Sequence, residues 1–208
     1  RGLAARFTLF STILIGSCTE NTANKKSFDP NLDRITLTIP DKTVNKTLMT
    51  YKNKISLWTL NDQPYSGYMV SYYPNGTLKE KTGVLNGRRQ NLSSQWYADG
   101  HLKQIANYNK GKLHGEKKMW TSDANHVLVA QLNFAKGRAH GAQTQWYVTG
   151  ELYKKLNLNM GKEEGLQQAF RENGELYANY EARNGRIFGL KKAALCYGLE
   201  DENLKYEK

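Results

Sequence analysis

Cysteine is almost missing from this chain: 208 residues carry only Cys18 and Cys196. If Cys18 carries lipid, as the N-terminal processing motif described below implies, Cys196 has no intramolecular partner and disulfides contribute nothing to the monomer. The neighbours of Cys196, Ala193-Ala194-Leu195 and Tyr197, mark it as a small buried apolar residue rather than a redox or metal-binding thiol. Histidine is scarce too, with His101, His114, His126 and His140 the complete set. No serine or cysteine nucleophile is accompanied by a readable base motif, so neither catalytic residues nor a cofactor is expected. His114 and His140 occupy equivalent places in a repeat, but equivalent residues of adjacent hairpins lie about 9 to 10 Å apart. Zinc needs its nitrogen ligands at about 2 Å, so no metal site is expected.

Long apolar runs are also lacking. The one apolar run at the amino terminus, Phe7 to Ile15, follows Arg1 and Arg6 and falls short of the roughly 20 residues that span a bilayer. It reads as a secretory signal covering residues 1–17. Ile15-Gly16-Ser17-Cys18 resembles a bacterial lipobox, which implies lipidation of Cys18 and anchoring in a bacterial cell envelope, at about 0.8 kcal/mol per buried methylene. Residues 18–33 are polar and read as a tether.

What the chain has is repetition. A unit begins at Gly67, Asn91, Gly115, Gly141 and Gly165, with a sixth start at Gly189, in steps of 24, 24, 26, 24 and 24 residues. A fixed period of this length denotes a repeat array. Five residues after each start stands an aromatic: Tyr72, Trp96, Trp120, Trp146 and Phe170. A turn glycine follows in four units (Gly76, Gly100, Gly150, Gly174), then Leu78, Leu102, Leu128, Leu152 or Leu176. A second glycine closes each unit at Gly87, Gly111, Gly137, Gly161 and Gly185.

Inside a unit the apolar period is two, which is the strand signature. Tyr68, Val70 and Tyr72 share one face, as do Leu152, Leu156 and Leu158. Each unit is therefore a hairpin. Asn75-Gly76, Asp99-Gly100 and Asn173-Gly174 are expected to supply the positive dihedrals of tight turns. The third unit has no glycine between Ser122 and His126 and two extra residues, so a longer loop is expected there. Stacking the hairpins should gather the five aromatics into a ladder that forms the core. Residues 34–39 alternate through Ile35, Leu37 and Ile39, which predicts a short strand before Pro40.

The recurring glycine, the paired aromatics Tyr72-Tyr73 and Trp96-Tyr97, Asn/Asp-Gly, Leu and Gly-x-x-x-Gly resemble the MORN-repeat-variant family, whose bacterial members are often labelled YwqK-type antitoxins. The resemblance covers residues 51–190 and departs from the pattern at Asn91, at Thr121 and in the loop of the third unit. It implies an all-β fold: an elongated single sheet of about five to six stacked hairpins. Residues 34–66 would form an N-terminal strand and half repeat, 67–190 the five hairpin repeats and 191–208 a cap or tail. Trp-Tyr, turn glycine and Leu at short period also resemble choline-binding wall repeats, in which the aromatics form boxes between hairpins.

Charge is one-sided, with 30 Lys and Arg against 19 Asp and Glu and a formal net charge of +11. The excess lies in the first units, where Lys79, Lys81, Arg88, Arg89, Lys103, Lys110, Lys112, Lys117 and Lys118 face only Glu80, Asp99 and Glu116. These nine form a candidate basic face for an envelope protein or an anionic membrane surface. No nucleic-acid motif is present, and no small-molecule substrate is expected. The reading is a non-enzymatic, lipid-anchored interaction scaffold. A wall-carbohydrate module and a toxin-neutralising antitoxin stand beside it as alternatives.

Overall fold

The structure, a computed structural model, describes residues 37–190. The signal segment, Cys18, the tether, Ile35, Cys196 and residues 191–208 lie outside the described residues. Among the described residues there is no α-helix, and a single 3-10 turn, Lys46–Leu48, is capped by the Asn45 side chain.

The strands are β1 (Thr43–Asn45), β2 (Thr50–Lys52), β3 (Leu57–Leu60), β4 (Gln63–Pro64), β5 (Gly67–Tyr72), β6 (Leu78–Leu85), β7 (Arg88–Trp96) and β8 (Leu102–Asn109). They continue as β9 (Lys112–Trp120), β10 (Leu128–Ala135), β11 (Arg138–Trp146), β12 (Leu152–Asn159), β13 (Lys162–Glu163), β14 (Gly165–Phe170), β15 (Leu176–Arg183) and β16 (Arg186–Leu190). Thirteen of them make one mixed sheet in which β5 to β12 and then β14 to β16 follow each other in chain order, β13 pairs only with β12, and β1 adds a parallel edge strand to β5. The fold is all-β and hairpin-repeat-like. Strands β2, β3 and β4 form a separate three-stranded sheet rather than extending the long one.

Two kinds of turn alternate along the meander. Between β5 and β6 the Tyr73 and Thr77 backbones bracket a three-residue loop, with Gly76 N–H on the Tyr73 carbonyl at 2.9 Å. Here only the glycine has positive φ, +84°, while Asn75 turns its side chain inward to accept the Thr77 N–H at 3.1 Å. Asp99 and Asn173 do the same for His101 and Glu175. The expected pair of positive dihedrals is therefore not at Asn75-Gly76. It is at the closing glycines, where both turn residues are left-handed: Asn86-Gly87, Lys110-Gly111, Lys136-Gly137, Met160-Gly161 and Asn184-Gly185. These are the two-residue type I′ turns whose twist suits a hairpin.

The third unit has the longer loop its sequence implies. Thr121 N–H reaches the Val127 carbonyl at 2.9 Å, and His126 takes φ +50°, the left-handed place that glycine fills elsewhere.

Each of the five aromatics pairs across its loop with the leucine of its own unit: Tyr72 with Leu78, Trp96 with Leu102, Trp120 with Leu128, Trp146 with Leu152 and Phe170 with Leu176. They are not the core. Tyr72 is 51% exposed and the other four are half-buried, because they sit at strand ends beside solvated loops. The core is instead a cluster of Met49, Tyr65, Met69 and Val84 where the small sheet meets the first hairpin, with Val44, Trp58 and Leu60 against it. Farther along, the buried apolar positions are mostly alanines, including Ala106, Ala130, Ala169, Ala178 and Ala182.

Leu37 to Ile39, the described part of the expected first strand, joins no strand. The Asn91 side chain donates to the Leu37 carbonyl at 2.9 Å, and Ile39 fills the space above Gly83. Asn91 itself has φ +58°, a conformation asparagine tolerates better than most residues, so it serves at a place where later units use glycine.

Candidate functional site

Charge gathers where the type I′ turns lie. The residue after every closing glycine is basic: Arg88, Lys112, Arg138, Lys162 and Arg186. Each is exposed, and each pairs in register with the last residue before its turn, for example Leu85 with Arg88 and Ala135 with Arg138. Because the meander returns to this edge every second strand, successive members of the row are about 9 to 10 Å apart. Lys110 and Lys136 add two cations on the turns themselves at φ +49° and +52°, places where Asn, Asp or Gly is the usual choice.

Backbone bonds hold the row in place. The N–H groups of Gly111, Gly137 and Gly161 donate to the carbonyls of Arg89, Leu113 and Ala139 at 2.8, 2.8 and 2.7 Å, so each turn is tied to the strand that follows the previous one. At the first turn the small sheet plays that part: Gly87 donates to the Tyr65 carbonyl and accepts from Trp58 N–H, both at 2.7 Å. Side chains reinforce the ties, with Lys110 N–H on Gln90 Oε1 at 2.9 Å and Lys136 N–H on His114 Nδ1 at 3.5 Å. His114 is thus engaged in joining units. Among the described residues no three His, Cys, Asp or Glu side chains come together as a metal site.

The nine expected basic residues do not share one face. Lys117 and Lys118 are neighbours on β9 and so point to opposite sides. Lys118 pairs with Glu116 at 2.9 Å. Lys79, Lys81 and Lys103 lie over the rings of Tyr73, Tyr68 and Tyr97 at 5.2, 4.7 and 5.4 Å. Arg88, Arg89, Lys110 and Lys112 do come together, around a cavity of about 570 Å³ beside the first two closing turns. Reading charge by composition missed Lys136, Arg138, Lys162 and Arg186, since the later units are balanced overall. The signal was positional: one basic residue follows each closing glycine.

The opposite edge of the sheet, where the longer loops lie, carries Asp99, Asp123, Glu151, Glu172 and Glu175. The His101 backbone N–H holds the Asp99 carboxyl below its ordinary range, and a hydrogen bond from Thr121 does the same for Asp123. The turn edge is thus richer in cations, with Glu163 and Glu164 beside Lys162 at the fourth turn, and the loop edge is richer in carboxylates, with Arg171 paired to Glu175 at 3.9 Å.

No family model, curated protein or solved structure matches this chain. Its own geometry must carry the functional reading. Trp120 stacks on His126 of its own loop, with centroids 6.2 Å apart and planes 4° from parallel.

Proposed function

We propose that the chain is a non-enzymatic scaffold of hairpin repeats, of the kind the MORN-variant resemblance implies, held at a bacterial cell envelope by lipid on Cys18. Its working surface is the turn edge, which meets an acidic protein face or an anionic lipid surface. The observation that carries this reading is the exposed basic residue at the same place after all five closing turns. A merely solvated face needs no such regularity, whereas a row of charges at fixed pitch binds an extended anionic surface cooperatively. Near an anionic membrane each such residue contributes about 1 kcal/mol. The lysines held at positive φ in two turns fit the same reading, since they add charge where backbone preference favours asparagine.

The test is a pull-down from detergent-solubilised envelope membranes, comparing the parent with a variant in which Arg88, Lys112, Arg138, Lys162 and Arg186 are all changed to Gln. A protein or anionic lipid retained by the parent and lost by the variant is expected. Equal recovery on both baits would remove the turn edge from the account. The anchor is tested separately: Cys18→Ser should move the protein from the membrane to the soluble fraction.

A further inference from the structure

The cavity at the head of the cation row has a composition that the rest of the row lacks. Tyr51 and Trp58, contributed by the small sheet, line it together with Arg88, Arg89, Lys110 and Lys112 from two consecutive turns, and no carboxylate takes part. Its volume of about 570 Å³ is that of a small-ligand site. The arrangement follows from the fold. Gly87 lacks a Cβ, so the Trp58 backbone docks on the turn, which brings β3 and its cross-strand partner Tyr51 beside the cations.

Tyr51 and Trp58 lie 4.9 Å apart with their planes tilted by 45°, and Trp58 is packed against the core cluster. Tyr51 stays 42% exposed and offers the free ring surface. Arg88, Lys110 and Lys112 form no ion pair among the described residues. Arg89 is held by Tyr108, its guanidinium 5.4 Å from the ring centroid, and its Nε is buried with no acceptor. Four like charges around one cavity repel one another, and an anion relieves that repulsion.

We propose that this cavity binds an anionic sugar, its ring on Tyr51 and its phosphate or carboxylate among Arg88, Lys110 and Lys112. The lining sets this class apart from apolar ligands. A purely apolar ligand would meet four cations. A nucleobase also stacks on an aromatic ring beside cations, and Ser56, Tyr51 and the Trp58 indole N–H are the uncharged polar groups of the lining; the oligothymidylate arm of the titration below separates that class from a sugar. A sugar needs an aromatic surface for its C–H face and donors for its charge, and both are present. The inference stands apart from the scaffold reading, which rests on the whole row.

The experiment is calorimetric titration of the full chain with glucose 6-phosphate, glucose, inorganic phosphate, polygalacturonate and an oligothymidylate. Glucose 6-phosphate should bind about tenfold or more tighter than either glucose or phosphate. Tyr51→Ala should erase that advantage while leaving phosphate binding unchanged. Arg88→Gln and Lys110→Gln should each weaken glucose 6-phosphate and phosphate together, and Lys162→Gln, at the far end of the row, should weaken neither. Polygalacturonate binding tighter than the monomer, with the same sensitivity to Tyr51, would identify a polysaccharide as the source; preference for the monomer would identify a free sugar phosphate. The proposal is overturned by equal affinity for phosphate and glucose 6-phosphate, by no binding of either sugar anion, or by tighter binding of the oligothymidylate. It is also overturned if Lys162→Gln acts as strongly as Arg88→Gln, since the effect would then be net charge. Retained sugar binding in a protein whose pull-down fails would sink the scaffold reading and leave this one standing.

Discussion

The Tyr97 hydroxyl donates to the backbone carbonyl of Trp120 at 2.8 Å, across a sequence distance of 23 residues. The same bond joins Tyr73 to Trp96 and Tyr147 to Phe170, each at 2.9 Å. The second aromatic of the pair is thus a strap from one repeat to the next. In the third unit Thr121 takes that position, and its hydroxyl instead accepts the Val127 N–H within the longer loop at 2.9 Å.

Tyr97→Phe removes the strap and leaves the ring. The expected loss is about 1 kcal/mol, the ordinary net worth of a hydrogen bond. It should register as a lower urea midpoint and as faster amide exchange at the loop between β7 and β8. An unchanged midpoint and exchange pattern would mean the strap does not join the repeats.

Met69→Ala and Tyr72→Ala separate the two accounts of the core. Met69 is fully buried while Tyr72 is half exposed, so the methionine variant should lose about 2 to 5 kcal/mol and the tyrosine variant clearly less. Denaturant unfolding of the two variants decides it; a larger loss at Tyr72 would restore the aromatic ladder as the core.

Gly87→Ala and Gly185→Ala share a backbone penalty but differ in surroundings. Their φ values are +74° and +73°, yet a Cβ on Gly87 would stand 2.9 Å from the Trp58 carbonyl oxygen, whereas nothing lies within 4 Å at Gly185. Gly185→Ala should cost about 1 to 2 kcal/mol, the penalty of the left-handed conformation alone. Gly87→Ala should cost more, because the small sheet must move away. Equal thermal shifts would show that the two sheets are not held at this turn.

Burial, and then a 2.8 Å hydrogen bond to Glu163, push the Tyr180 hydroxyl up to about 12. An unfolded tyrosine ionises near 10. Below about pH 10 both states keep the proton and no slope arises. Between about 10 and 12 the unfolded chain has released a proton that the folded chain retains, so stability falls as pH rises. The loss from this one group reaches at most about 2 to 3 kcal/mol. Tyr180→Phe should flatten that part of the alkaline unfolding profile; parallel profiles for parent and variant would refute the linkage.

Much of the fold was legible because a strand writes its geometry into the chain with period two and a hairpin writes its turn with glycine. The loop-crossing pairs, such as Trp96 with Leu102, follow directly from that spacing. The choice of turn was less legible. Both Asn75-Gly76 and Asn86-Gly87 read as Asn-Gly, and only backbone geometry distinguishes a side-chain-braced three-residue loop from a type I′ turn. The separate sheet of β2, β3 and β4 was not readable either, since pairing partners are a long-range matter. In the candidate site, Arg88 and Lys110 were visible as charges, but their meeting with Tyr51 was not.

By itself, the sequence determined the repeat, the order of the strands along the chain, and the basic residue after each closing glycine. These are local properties, set by side-chain alternation and by which residues accept a positive φ. Tertiary structure alone decided which apolar side chains are buried and which cations share a cavity. Burial depends on what covers a face, and a strand's pattern names its two faces without saying what lies over either. Hence the core fell to Met69 and Val84 under the small sheet, and the aromatics, spaced so regularly, were left at the edge of the water.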